Sequence, residues 1–135
     1  MRERILIVSD GPRNASMRES LVQDGFAVTL ARDEQNGYGQ LLVSRFNLVI
    51  VSLSDQAKGL DLIKQIRANS ELRKLLILTV AEWGTGQPTM ALTEGADGFE
   101  PAPVDNRRLI EAVTGLLRPN LTRMARASAA DRDDD

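Results

Sequence analysis

The sequence predicts an α/β domain built on a parallel sheet, and three features support this prediction. Short continuous apolar runs, such as residues 5–8 and 48–51, are typical of strands buried on both faces. Segments whose apolar residues recur at helical spacing separate these runs. The length of 135 residues, with 42% hydrophobic residues, suits a single domain with a packed core. Strands that alternate with helices form parallel sheets covered on both faces.

Five strands and five helices are predicted in alternation along the chain. The strands are residues 5–8, 26–31, 48–51, 75–80 and 97–101, and the helices are residues 14–24, 35–45, 59–69, 88–95 and 106–118. Met17 and Leu21 mark the buried side of the first helix, and Gly25 follows it as a C-terminal cap.

The second helix is predicted to be weak on its own. Gly37 and Gly39 each cost about 1 kcal/mol relative to alanine. Packing through Tyr38, Leu41 and Leu42 must therefore hold this helix against the sheet.

The later helices have clearer signals. The third helix repeats apolar residues at spacings of three and four, and Pro88 suits the first turn of the fourth helix, which ends near Gly95. Asp105 is a plausible N-cap for the last helix. That helix buries Leu109, Ile110, Val113, Leu116 and Leu117.

A flavodoxin-like strand order, 2-1-3-4-5, is expected for a doubly wound sheet of five strands. In that order a crevice forms at the carboxyl ends of strands 1 and 3. The loops at residues 9–14, 52–58 and 79–87 would line it. We expect residues 1–118 to form the domain and residues 119–135 to form a polar, flexible tail.

Composition narrows the possible chemistry. The chain has no cysteine and no histidine, which excludes disulfides, thiolate nucleophiles and the usual general base. No apolar run reaches the ~18 residues of a membrane helix, and the N-terminus is not a signal peptide, so we expect a cytoplasmic protein without a membrane partner. Five arginines between residues 107 and 126 lack interleaved aromatic residues, so nucleic-acid binding is not expected.

Several segments resemble the receiver domain of bacterial two-component response regulators, of the chemotaxis-regulator-like kind. The resemblance spans about residues 3–117. It rests on residues 5–10, 47–52 and 76–79, on the Gly-Ala-Asp-Gly-Phe segment at 95–99, and on Pro103 before the last helix. It implies a role in phosphorelay signal transduction and no enzyme activity.

The residues at the functional positions of receivers depart from the family pattern. Ser9 and Asp10 stand where receivers carry two acidic residues, and Ser52 stands at the phospho-accepting aspartate. Ala102 replaces the lysine, although Pro103 follows it as in the family. The resemblance places the switch hydroxyl at Thr79 and the aromatic switch position at Phe99, which has no phenol hydroxyl.

These departures remove what aspartyl phosphorylation requires. The reaction needs an anionic nucleophile and cations that neutralise the phosphoryl oxygens. Asp10 offers one carboxylate, so Mg²⁺ binding there should be weak, and no other cofactor is expected. We therefore expect a degenerate receiver, or pseudo-receiver, that acts by phosphorylation-independent protein–protein interaction.

Alternatives remain open at this point. The chain could be an atypical receiver that uses Asp10 or Asp55, or a binder of a small ligand or nucleotide in the crevice. Asp10 is either a remnant metal ligand or a cap of the loop or first helix. Thr79 either moves as a switch or bonds the local backbone. Trp83 and Phe99 either meet a partner or pack within the domain.

The partner surface expected from the resemblance consists of the fourth helix, fifth strand and fifth helix. This surface carries both signs of charge, in Glu94, Asp97, Glu100, Arg107, Arg108 and Arg118. Charges of both signs could pair across a two-fold axis. We therefore expect a weak, salt-sensitive homodimer or a different signalling partner on the same surface.

Overall fold

The computed structural model describes residues 2–12, 14–82 and 87–118. Its five strands form one parallel sheet in the order β2-β1-β3-β4-β5, which confirms the predicted topology. The strands are β1 (Arg4–Ser9), β2 (Ala27–Ala31), β3 (Leu48–Ser52), β4 (Leu76–Ala81) and β5 (Gly98–Pro101). The helices are α1 (Asn14–Gln23), α2 (Glu34–Val43), α3 (Gln56–Ala68), α4 (Gln87–Glu94) and α5 (Asn106–Leu117), with a 3₁₀ turn at Ser70–Leu72.

The two faces of the sheet bury separate hydrophobic clusters. Side chains alternate between faces along each strand. Leu6 and Val49 lie in the cluster covered by α2, α3 and α4, whereas Ile5 and Ile50 lie in the cluster covered by α1 and α5. All four side chains are fully buried. This alternation decides which residues at the strand ends reach each side of the sheet.

Aspartate caps set the start of three helices. The Asp33 carboxylate accepts a hydrogen bond from the Asn36 amide at 2.7 Å and begins α2. Asp105 caps α5 as predicted, through the Arg108 amide at 2.8 Å. Because Asp55 caps α3, that helix begins at Gln56, three residues before the predicted start.

A close approach between α2 and β1 explains one of the two helical glycines. A Cβ atom on Gly37 would lie 2.6 Å from Val8 Cγ2, so only glycine fits there without a shift. Gly39 is exposed, and a Cβ atom there would meet nothing within 4 Å. Tyr38 and Leu41 pack on the core as predicted. Leu42 does not pack on the core, because it is the next residue along the helix after Leu41 and its side chain is 56% exposed.

In the described part of the chain, none of the helices has both the length and the apolar character that crossing a membrane requires. The predicted tail, residues 119–135, lies outside the described residues.

We predict opposite effects for alanine at the two glycines of α2. Gly37→Ala should lower the free energy of unfolding by about 1–3 kcal/mol, because the new methyl group overpacks against Val8. Gly39→Ala should raise it by about 0.5–1 kcal/mol through higher helix propensity alone. Urea unfolding monitored by circular dichroism measures both values. Equal effects of the two substitutions would contradict the packing described for α2.

Candidate functional site

A small cavity lies beside Ser52 at the carboxyl end of the sheet. Its volume is about 60 Å³. Residues from α1, β3, β4 and the β5–α5 connection line it, namely Ser16, Met17, Ser52, Val80, Ala102, Val104 and Asn106. None of these seven side chains carries a charge. The described lining of the cavity therefore offers hydroxyl, amide and apolar side chains, without a charged one.

Two of the predicted site residues meet in this cavity. Ser52 ends β3 opposite Ser9 of β1 and is half-buried. Ala102 follows β5, and its amide donates a hydrogen bond to the carbonyl of Ala81 at 3.1 Å. The peptide bond from Ala102 to Pro103 is cis. The predicted phospho-acceptor and lysine positions are thus neighbours in space, but they present a hydroxyl and a methyl group.

The structure places Val80, not Thr79, in the cavity. Residue Val51 pairs with Thr79 in the register of β3 and β4, so Val80 lies beside Ser52. Val80 belongs to the cluster under α1 and α5, whereas Thr79 points to the opposite face of the sheet. The expectation that Thr79 supplies a hydroxyl at the end of β4 is therefore wrong. The strand continues for two residues beyond Thr79, to Ala81.

The Thr79 hydroxyl is buried without a hydrogen bond. Thr79 is 0% exposed, and its Oγ1 has no partner within the described part of the chain. The alternative that this hydroxyl bonds the local backbone is therefore also wrong. Thr79 pairs in register with Phe99, which is half-buried against the cluster under α2, α3 and α4. Trp83, the other aromatic candidate, lies outside the described residues.

The remaining acidic residue of the crevice bonds a neighbouring loop. The Asp10 carboxylate accepts hydrogen bonds from the Ser54 amide at 3.0 Å and from the Ser54 hydroxyl at 2.8 Å. We call this contact the Asp10–Ser54 bridge. Ser9 is 2% exposed, and its hydroxyl accepts a hydrogen bond from the Gly11 amide at 3.3 Å. Asp10 therefore holds the β3–α3 loop, whereas the capping alternative named its own loop or the first helix.

The residues present do not fit a magnesium site. Mg²⁺ prefers several carboxylate oxygens in octahedral geometry. Asp10 supplies one carboxylate, and both of its oxygens accept hydrogen bonds from Ser54. Across residues 2–12, 14–82 and 87–118, no group of three histidine, cysteine, aspartate or glutamate side chains could hold a metal ion.

Asp55, the other candidate acceptor, is engaged at the start of α3. Its Oδ1 accepts hydrogen bonds from the amides of Ala57 at 2.9 Å and Lys58 at 3.3 Å. A carboxylate at a helix N-terminus is stabilised by the unpaired amides and by the helix dipole. Asp55 is not among the residues that line the cavity.

Contacts of Arg67 that hold the turn before β5, here called the Arg67 clamp, were not predicted from the sequence. Arg67 of α3 donates to the Gly95 carbonyl and to Asp97 Oδ2, each at 2.8 Å. Asp97 Oδ2 also accepts from the Ile77 amide at 2.8 Å. Gly95 has a φ of +121°, and a Cβ atom there would lie 2.5 Å from Arg67 Cγ. The segment at 95–99 carried a signal for this turn, but nothing in the sequence linked it to Arg67.

Most charges assigned to the partner surface are paired within the chain. Glu94 lies 3.9 Å from Lys64, Asp97 pairs with Arg67, and Arg107 pairs with Glu111 on the same helix at 3.2 Å. Arg108 donates to Glu100 at 2.8 Å. That hydrogen bond, with the nearby negative charge, raises the pKa of the exposed Arg108 guanidinium, which stays protonated at any physiological pH.

Arg118 does not belong to this surface. It forms an ion pair with Glu3, next to the start of β1, and its guanidinium lies 5.6 Å from the centre of the Phe26 ring. Residues at this end of α5 face the amino ends of the strands rather than the crevice. The expected grouping of Arg118 with Glu94, Asp97 and Glu100 is therefore wrong.

Comparisons with known proteins agree with this architecture. No family model matches the sequence. The chain is 29% identical to the response regulator MprA of Mycobacterium bovis (strain BCG / Pasteur 1173P2), over 100% of this chain and 59% of that protein. The chain thus spans less than two thirds of the length of the curated relatives it matches.

Solved structures of response regulator receiver proteins are similar to this chain. A response regulator receiver domain protein (CheY-like) from Methanospirillum hungatei JF-1 superposes with a TM-score of 0.80 at 24% identity, covering 91% of this chain and 99% of that one. A response regulator receiver protein from Pseudomonas putida has a TM-score of 0.76 at 27% identity, covering 84% and 97%. These similarities show that the chain has the fold of response regulator receiver (CheY-like) domains.

We predict that Thr79→Val stabilises the protein. A buried hydroxyl without a partner costs about 1–3 kcal/mol, so its removal should raise the free energy of unfolding by about 1 kcal/mol. The control is Thr93→Val, since the exposed Thr93 hydroxyl donates to the Thr89 carbonyl at 2.8 Å and should bring no gain when removed. Urea unfolding measures both variants. A loss of stability in Thr79→Val would show that this hydroxyl has a partner.

Proposed function

We propose that this protein is a pseudo-receiver, a cytoplasmic signalling module that acts by protein–protein interaction without aspartyl phosphorylation. It is not an enzyme, and it needs no metal cofactor. The observation that carries the proposal is the uncharged cavity at the end of the sheet, where Ser52, Val80 and Ala102 lie together.

The cavity lacks each chemical part of phosphoryl transfer to a carboxylate. Ser52 is a neutral hydroxyl, and the chain contains no histidine that could activate it. Ala102 and Val80 supply neither a charge nor a hydrogen bond to a phosphoryl oxygen. The nucleophile, the cation and the hydroxyl are all missing from the same place. This favours a site without phosphoryl transfer over a site that carries it out with different residues.

The two alternative functions have less support. An atypical receiver would use Asp10 or Asp55 as the acceptor, but each carboxylate accepts hydrogen bonds from loop or helix amides, and neither residue is among those that line the cavity. A small-ligand or nucleotide binder needs a pocket of roughly 300–1,000 Å³. The cavity of about 60 Å³ is too small for such a ligand.

The scaffold that presents a protein-binding surface is intact. The sheet, α4, β5 and α5 are all present, and the Arg67 clamp fixes the turn between α4 and β5. A partner needs only a surface of defined shape, so binding does not depend on the chemistry of the crevice. We propose that the surface formed by α4, β5 and α5 binds either a second copy of the chain or another signalling protein.

Apolar contacts should dominate at this surface. Met90 and Leu92 of α4 are 46% and 47% exposed. The charges beside them are paired within the chain, which leaves little attraction for a partner's charges. Exposed ion pairs contribute only about 0–1 kcal/mol each. The sequence predicted a salt-sensitive contact. From the paired charges, we now expect the affinity of the contact to depend little on salt.

We predict that the protein does not form an aspartyl phosphate. Incubation with acetyl phosphate and Mg²⁺ should leave the intact mass unchanged, because the described residues that line the cavity include no carboxylate. The comparison variant is Ser52→Asp combined with Ala102→Lys, treated in the same way, which tests whether restoring two groups is sufficient. An adduct on the natural chain that hydroxylamine removes would disprove the proposed function, because hydroxylamine cleaves acyl phosphates.

We also predict that self-association, measured by sedimentation equilibrium, depends on Leu92. Leu92→Glu should weaken the dimer at least tenfold, because it places a charge in the apolar contact. Leu42→Glu is the matched control, since Leu42 is similarly exposed but lies on α2. Raising the salt concentration to 0.5 M should change the dimer constant little. If both substitutions changed the dimer constant equally, or if that constant depended strongly on salt, the dimer contact would lie on another surface.

A further inference from the structure

We propose that the outer edge of β2 is a self-association surface, to which a second copy of the chain adds its own β2 in antiparallel orientation. β2 forms one edge of the sheet and β5 forms the other, so this surface is separate from the surface formed by α4, β5 and α5. The proposal therefore stands or fails independently of the proposed function. Its basis is the backbone, the composition and the symmetry of β2.

The backbone of β2 has groups that point away from the sheet. The Ala27 amide donates a hydrogen bond to the Glu3 carbonyl at 3.0 Å, so the backbone of Ala27 faces β1. Because this direction alternates along a strand, the amides and carbonyls of Val28 and Leu30 face outward. Among the strands that the structure describes, β1 alone pairs with β2. An edge of this kind is a template for a further strand.

The two edges of the sheet differ in composition. Proteins protect exposed edges with charged side chains and with proline, which has no amide hydrogen to donate. β5 carries both, in Glu100, which accepts a hydrogen bond from Arg108, and in Pro101. β2 reads Ala-Val-Thr-Leu-Ala and contains neither a charged residue nor a proline. The β2 edge therefore lacks the features that would prevent another strand from pairing with it.

The sequence of β2 is nearly the same in both directions, which suits pairing with a copy of itself. A two-fold axis at Thr29 places Ala27 of one copy opposite Ala31 of the other. The same axis places Val28 opposite Leu30, so their outward amides and carbonyls pair with each other. Val28 and Leu30 also share a face of the sheet, since both pack on the cluster under α1 and α5. Residues of similar size and polarity thus meet along the whole strand.

The charges that flank β2 are complementary in this arrangement. Asp24 precedes β2 and Arg32 follows it, and both residues are exposed. Of the acidic residues that come next, Asp33 caps α2 and Glu34 lies within that helix. Antiparallel pairing brings the beginning of one strand to the end of the other. Asp24 of each copy would therefore lie at the same end as Arg32 of the other copy, which favours a second copy as the occupant.

The expected association is weak, because two strands of five residues form a small contact. We expect it to be weaker than a contact through α4, β5 and α5. The tests below are therefore made in the Leu92→Glu chain, which removes the contact expected at α4 and leaves β2 unchanged. Failure at β2 and failure of the proposed function are then separate results.

The absence of cysteine allows a test of the two-fold axis. The backbone of Thr29 faces β1, so Thr29 and its copy would form a non-hydrogen-bonded pair. The Cα atoms of such a pair are about 4.5 Å apart, within the range of a disulfide. Thr29→Cys, oxidised by copper phenanthroline and dissolved oxygen, should therefore give a disulfide-linked dimer.

Ala27→Cys is the matched control, because it lies on the same face of the same strand. In the proposed register, the two copies of residue 27 are offset by about 13 Å along the strands, which no disulfide spans. We expect the linked dimer to form at least tenfold faster with Thr29→Cys than with Ala27→Cys. Equal rates would overturn the proposal.

Sedimentation equilibrium tests the same position without a covalent bond. Thr29→Lys should weaken self-association at least tenfold, because two ammonium groups would meet at the axis. Thr29→Val keeps the shape of the side chain and should leave the dimer constant within threefold. Equal effects of lysine and valine at this position would contradict the proposed register.

Hydrogen exchange of the Val28 and Leu30 amides needs no change in β2. Their protection should rise at least tenfold from dilute to concentrated protein, because the second copy supplies the acceptors. Protection that does not depend on concentration would show that another part of the same chain covers the edge. Exchange at the rate of an unstructured amide at every concentration would show that the edge stays open. Either result would overturn the proposal.

Discussion

The parallel register between β3 and β4 controls the chemistry of the crevice. Val51 lies beside Thr79, so the next residue of each strand, Ser52 and Val80, points to the α1–α5 side and into the same cavity. The buried apolar residues that precede them hold this register, because a slip of one residue would turn every core side chain of a strand to the other face. A hydroxyl and an isopropyl group therefore meet at the end of the sheet, with the Ala102 methyl group completing an uncharged lining.

The carboxylates of Asp10 and Asp55 accept hydrogen bonds from the loops that follow the strands. Asp10 bonds Ser54, and Asp55 caps α3, so each negative charge faces backbone amides. Such contacts stabilise the β1–α1 and β3–α3 loops without a cation. Charged groups are also paired within the chain near the α4–β5–α5 surface, where Arg67 pairs with Asp97 and Arg108 pairs with Glu100. Hydrogen bonds and ion pairs within the chain thus hold both the crevice loops and the α4–β5–α5 surface.

Sequence patterns were sufficient for the fold and insufficient for parts of the site. Apolar runs and the alternation of elements predicted the parallel sheet, and the strand order followed from the commonest arrangement of five such strands. Asp105 was recognisable as a cap because its signal is local. The placement of Thr79 failed because apolar residues continue past it, and the end of a buried strand is uncertain by a residue or two. Pairs such as Arg67 with Asp97 and Glu3 with Arg118 lie 30 and 115 residues apart, so no local spacing reveals them. Helix propensity alone makes Gly37 unfavourable, and only the folded structure shows that a Cβ atom there would collide with Val8.

We expect no phosphoryl or metal chemistry in the crevice of this receiver fold. A titration of the isotope-labelled protein with Mg²⁺ and then beryllofluoride, which mimics a phosphoryl group, tests this expectation through amide NMR spectra. The amide resonances of Ser9, Asp10, Ser52, Val80 and Ala102 should stay in place up to 10 mM of each reagent. Saturable shifts confined to these residues would show a working phosphoryl or metal site and contradict the expectation.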